Sequence, residues 1–105
     1  MVMQPVYYPF SEVIKNDGRR LVNCQLRYEN NHYSIDFEKM ERMILEEGVK
    51  ALIFCNPHNP VGRVWTREEL ERVAEICLKY NVTWMVDEMH CDFIFPGHHL
   101  HKLYE

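Results

Sequence analysis

Hydrophobic and polar positions along the chain follow two rhythms that take turns. Short apolar or β-branched runs occur at "MVMQ", "RLVNCQL", "KALIFC" and "VTWMVDE", each followed by turn residues or by a helical pattern, and they predict four strands. Between them the apolar spacing changes to three and four residues. In "TREELERVAEICLKYN", Leu70, Val73, Ala74 and Cys77 share one face, while Thr66 and Glu69 have the spacing of a capping box. Trp65 and Leu70 have the spacing of a hydrophobic staple, and Asn81 suits a left-handed stop. "IDFEKMERMILEEG" repeats the plan, with Asp36 as N-cap, Phe37, Met40 and Ile44 on one face, and Gly48 at the end. A shorter helix is predicted over "PFSEVIKNDG", with Pro9 near its first turn and Gly18 closing it.

Strands that are apolar throughout and alternate with helices predict an α/β fold, namely an open, mostly parallel sheet of about four strands with helices packed on both faces. The segment "FPGHHLHKLYE" loses periodicity and reads as a loop. At 105 residues, 47% hydrophobic and 27% charged, the chain has the composition of one compact domain. A formal net charge of -4 with acids and bases interleaved offers no basic face for nucleic acid and no polybasic membrane arm. The apolar runs fall far short of a membrane span, and "MVMQPVYYPF" lacks the character of a signal peptide, so the expected compartment is the cytoplasm. Cys24, Cys55, Cys77 and Cys91 contain no C-x-x-C pair and sit in apolar runs, the usage of reduced, buried thiols. Cys91 with His90, His98, His99 and His101 could be imagined as a metal site, but no second ligand pair at recognised spacing supports it.

Ligands of open α/β sheets bind beyond the carboxyl ends of the strands, which directs attention to "PVYYPF", "NPHNPVG" and "DEMH". Asp87 ends a buried strand and needs a cationic or hydrogen-bonding partner to stay ionised. Capping a following helix, or pairing with Arg63, would satisfy it. Asn56 and Asn59 precede prolines and could simply start turns, and Tyr7 and Tyr8 could be packing aromatics. Taken singly, none of these residues names a function.

Taken together, "QPVYYPF", "CNPHNPVGRVWTREEL" and "VDEMHCDF" resemble the pyridoxal-phosphate-dependent class I/II aminotransferase superfamily, of fold type I, and within it the carbon-sulfur lyases of the MalY and PatB cystathionine β-lyase type. The resemblance runs along essentially the whole chain, which looks like roughly a quarter to a third of such an enzyme. It implies that residues 1–105 are part of the large, cofactor-binding domain. It further implies that Asp87 faces the pyridine nitrogen of pyridoxal 5'-phosphate and keeps it protonated, and that Asn59 hydrogen-bonds the ring hydroxyl oxygen. His90 falls where many relatives carry a tyrosine with that same target. Tyr7 matches the aromatic that stacks on the ring, and Tyr8 is left to packing.

The implied reaction converts a sulfur-containing amino acid to pyruvate, ammonia and a thiol; the same cofactor residues would serve an aminotransferase. The family lysine that joins the cofactor covalently lies in an S-x-x-K segment, and none of Lys15, Lys39, Lys50, Lys79 and Lys102 has that context, so no catalytic residue is assigned. The glycine-rich phosphate turn would precede Met1, and the arginine for the substrate carboxylate would lie in a further domain. The chain alone is therefore expected to be inactive and to hold the cofactor weakly or not at all. Uncovered edges and helix faces would favour self-association, and a homodimer is expected. A non-enzymatic α/β module remains the alternative, together with the metal-binding reading.

Overall fold

The structure, a computed structural model, describes residues 1–103. Its regular elements are helix α1 (Pro9–Asn16), strands β1 (Arg27–Glu29) and β2 (His32–Ser34), helix α2 (Phe37–Glu47), strand β3 (Ala51–Cys55), helix α3 (Arg67–Lys79) and strand β4 (Thr83–Asp87).

The helices begin and end where local chemistry dictates. At α3, the Thr66 hydroxyl accepts the Glu69 amide at 3.2 Å and the Glu69 carboxylate accepts the Thr66 amide at 2.8 Å, which closes the capping box. At α2 the Asp36 carboxylate accepts the Lys39 amide at 3.0 Å, and Gly48 ends the helix in the left-handed region at φ 62°. Asn81 is left-handed at φ 54°, just past the end of α3. Pro9 opens α1, which buries none of its residues.

β3 and β4 pair in parallel from Ala51 opposite Thr83 to Cys55 opposite Asp87. The first two expected strands are present only as extended runs. Val2 bridges Asn23 in parallel, and the amides of Val2, Cys24 and Leu26 donate to the carbonyls of Val22, Val2 and Gln4. On the other side, the Ile53 amide donates to the Met1 carbonyl at 3.0 Å. These bonds order the segments as 22–26, 1–4, β3, β4, all running parallel, with 22–26 added on one side of segment 1–4 and β3 on the other. Two features keep the outer pair from a regular ladder. Pro5 has no amide to donate, and the Asn23 side chain takes the Gln4 amide at 3.0 Å.

An antiparallel hairpin was not expected from the sequence: β1 and β2 pair from Arg27–Ser34 to Glu29–His32. Its two-residue turn is Asn30-Asn31, with φ 51° and 59°, the primed turn that suits the twist of a hairpin.

The core lies on one face of the sheet. Leu52 and Phe54 of β3 join Met40 and Ile44 of α2 and Leu70, Val73, Ile76 and Cys77 of α3, with Trp65 in the same cluster. The alternate strand positions behave differently: Thr83 and Met85 are exposed. α2 and α3 pack on the core side, while Val13 and Ile14 of α1 line a cleft with Ile53, Thr83 and Met85 on the other. No helix of the described residues is long and apolar enough to cross a membrane. Cys24, Cys55 and Cys77 are buried free thiols, and burial pushes Cys24 and Cys77 up to about 11. Cys91, expected to be buried, is only half-buried, because the turn carrying it follows the end of β4 and lies outside the core.

Candidate functional site

The residues singled out at the strand tips gather at one edge of the sheet. Asp87 is the last residue of β4 and stands in register with Cys55, the last of β3. The next residue along, Asn56, donates its amide to the Asp87 carbonyl at 2.9 Å, which joins the two tips. Asn59 and His90 line a single cleft of about 570 Å³ with His58, Arg63, Phe93 and His98. Tyr7 follows segment 1–4, 43% exposed, with Tyr8 and Phe10 at ring-centroid distances of 5.8 and 5.7 Å.

Neither simple account of Asp87 applies. No helix begins at it among the described residues; its carboxylate accepts the Met89 amide at 2.9 Å and tightens a local turn. Arg63 is engaged with the Glu69 carboxylate at 2.7 Å, with the Tyr33 carbonyl and with the face of the Trp65 indole at 4.5 Å. That arginine fastens the hairpin to the start of α3. Glu69 serves twice, as capping residue and as ion-pair partner.

The loop carrying Asn59 is held from beneath. Asn56 is fully buried, and its side chain accepts the Trp65 amide at 3.2 Å and donates to the His101 carbonyl at 3.3 Å. The Trp65 indole donates to the Cys55 carbonyl at 2.9 Å. Asn56 is therefore a structural residue, as the turn reading of the first Asn-Pro pair has it. His58, between the two Asn-Pro pairs, is 1% exposed; its Nε2 lies 2.8 Å from the Pro5 carbonyl and its ring meets the Trp65 indole edge-on at 5.5 Å. Sequence reasoning passed over this histidine. Its partner is 53 positions away, and nothing in the local pattern announces it. Burial is the main influence on the ring and pushes its pKa down, against the opposing pull of the Pro5, Met3 and Cys55 carbonyls.

His90 is exposed on the rim of the cleft, in the turn that follows β4. Among the described residues no group of three His, Cys, Asp or Glu side chains is arranged to hold a metal. The His99 and His101 rings meet edge-on at 4.7 Å. The Cys91 thiol faces Asp92 at 3.8 Å. A larger cleft of about 810 Å³ opens between α1, at Val13 and Ile14, and the sheet face of Ile53 and Met85, and shares none of the site residues.

The donor set suits a flat, electron-poor heterocycle. A carboxylate at a strand tip is the partner for a protonated ring nitrogen, a carboxamide in a cleft can donate to a ring oxygen, and a half-exposed aromatic can cover a ring face.

Comparison with known proteins gives a consistent picture. Residues 1–103 match the family described as aminotransferase class I and II. The chain is 41% identical over 98 residues to the cystathionine beta-lyase PatB of Bacillus subtilis, an alignment covering 93% of this chain and 25% of that protein. It is 30% identical over 95 residues to the protein MalY of Escherichia coli, covering 90% and 24% respectively. Among solved structures it resembles cystalysin from Treponema denticola, which contains a pyridoxal 5'-phosphate cofactor, with a TM-score of 0.90 and 44% identity over 94% of this chain and 25% of that one. The cofactor-bound C-S lyase of Staphylococcus hominis superposes with a TM-score of 0.91 at 34% identity, over 94% and 25%. The chain spans about a quarter of the length of these relatives.

Proposed function

The chain belongs to the aminotransferase class I and II family, and from that premise we propose that residues 1–105 form part of the large, cofactor-binding domain of a pyridoxal 5'-phosphate-dependent carbon-sulfur β-lyase. The observation that carries the reading is the placement of Tyr7, Asn59 and Asp87 at or beyond the carboxyl ends of three segments of one sheet, with Asn59 and His90 lining the cleft there and Tyr7 and Asp87 outside its lining. Lyase is favoured over aminotransferase by the cystathionine beta-lyase and C-S lyase relatives.

In this reading the Asp87 carboxylate, oriented by the Met89 amide, would hold a proton on the pyridine nitrogen. Asn59 would hold the ring hydroxyl oxygen through its carboxamide, and His90, on the rim of the same cleft, would be a second donor for it. Tyr7 would cover one ring face, an offset contact worth on the order of 1 kcal/mol. When bound, the cofactor supplies an electron sink for the carbanion left by loss of the substrate's α proton, from which a thiol departs at the β carbon. A sulfur-containing amino acid as substrate, a homodimer as assembly and the cytoplasm as compartment belong to the same reading. The relatives' names support the substrate, and the exposed Phe93, Phe95 and Leu78 support assembly.

The test is a graft. The matching quarter of the Bacillus subtilis lyase is replaced by this chain, and visible absorbance of bound cofactor and thiol release are measured. Both are expected in the hybrid, and both should fall in its Asp87→Asn and Asn59→Ala variants. Equal cofactor loading and equal thiol release in the two variants would overturn the assignment. The 105-residue chain by itself is expected to show no turnover, because none of its lysines lies in an S-x-x-K context.

A further inference from the structure

We propose that His58 is a positioning residue that ties the loop bearing Tyr7 to the loop bearing Asn59, through a hydrogen bond from its Nε2 to the Pro5 carbonyl. The inference rests on the cofactor reading above for its purpose, but not for its geometry.

A carbonyl oxygen can only accept, so the 2.8 Å contact requires the proton on Nε2. The ring is buried, which favours its neutral form. A neutral ring with its proton on Nε2 leaves Nδ1 as a bare acceptor, and Nδ1 is buried without a hydrogen-bond partner among the described residues. Leaving such an atom unpaired has a cost that an apolar ring of similar size would avoid. A phenylalanine would fill the space and keep the edge-on contact with Trp65. Packing therefore does not explain a histidine here; the donor does.

The position of that bond explains what the donor achieves. Pro5 lies two residues before Tyr7, and His58 lies one residue before Asn59. The tip of segment 1–4 has its other anchors at Gln4, whose amide donates to Asn23 and whose side chain donates to Ser11. Beyond Gln4, the His58 bond is the side-chain link from Pro5 to the β3 tip. It sets the separation between a ring-covering aromatic and a ring-oxygen donor, two groups that must meet the same ligand.

The experiment uses the 105-residue chain without cofactor. Nitrogen-15 NMR of the histidine rings at neutral pH should show His58 with its proton on Nε2; a proton on Nδ1 alone would overturn the proposal. Backbone order parameters of Val6, Tyr7 and Asn59 should fall from about 0.85 to below about 0.6 in His58→Phe and return in His58→Gln, whose amide can donate from a similar place. A packing role predicts the opposite: His58→Phe would be as rigid as the parent and no less stable. Rigid loops in His58→Phe, or loose loops in His58→Gln despite a folded core, would each count against positioning. Because these readouts need no cofactor, they stand apart from the graft. If the graft fails while the loops stay coupled, the cofactor reading falls and the hydrogen-bond link does not.

Discussion

Removing the indole of Trp65 tests the physical support of the site loop most severely. The side chain is fully buried, packs within 5.9 Å of the Phe54 ring and 5.5 Å of the His58 ring, carries the Arg63 guanidinium on its face and donates to the Cys55 carbonyl. Truncating a buried aromatic to alanine costs roughly 3–5 kcal/mol in transfer and cavity terms. The Cys55 carbonyl, left without its donor, adds about 1–3 kcal/mol. A domain of this length has a total stability of roughly 5–15 kcal/mol, so Trp65→Ala should remove most of the folding free energy and bring the chain to the edge of unfolding at 25 °C. Trp65→Phe separates the two contributions. It retains most of the apolar bulk and loses the donor, so it should cost about 1–3 kcal/mol, a fall of at least roughly 4 °C in Tm. Urea unfolding followed by circular dichroism measures both variants. If Trp65→Phe unfolds at the parent's midpoint, the indole-to-Cys55 bond contributes nothing. If Trp65→Ala loses less than about 1 kcal/mol, the loop is not supported from beneath as described.

Two local devices give further expectations. Asp36→Ala should cost about 0.5–2 kcal/mol at neutral pH. Its carboxyl is held below the usual range, chiefly by the Lys39 amide and then by Arg27, so the unfolded chain takes up the proton first as pH falls. The stabilisation is complete above the ordinary aspartate value and is lost as pH drops through the lowered one; urea midpoints of parent and variant should therefore converge in acid, and a constant difference would contradict the cap. Gly48→Ala meets no atom within 4 Å at the new Cβ, so its expected cost of about 1–2 kcal/mol comes from the left-handed backbone alone. A neutral result in thermal unfolding would show that the α2 terminus relaxes.

Local chemistry was the most legible part of the sequence. Thr66 and Glu69, Asp36, Gly48 and Asn81 act within a few residues of themselves, and each behaves as its spacing predicts. The hairpin was missed although Asn30-Asn31 is a strong turn signal, because its strands are three residues long and largely exposed, and so carry no apolar pattern. The expected regular strand at residues 1–4 is interrupted by partners that no local window shows, the Asn23 side chain and the adjoining Pro5. The motifs directed attention to three strand tips. They did not mark His58 or the engagement of Arg63 with Glu69, since both depend on groups brought together by the fold.

The most direct measurement is a chemical-shift map of the isotopically labelled chain with pyridoxal 5'-phosphate added to millimolar concentration, where even weak association is populated. Shifts are expected at Tyr7, Asn59 and Asp87 and at the adjoining strand tips, and they should weaken in Asp87→Asn. Shifts confined to the sheet face by Ile53 and Met85, with none at the three named residues, would contradict a pyridine-ring site at this edge.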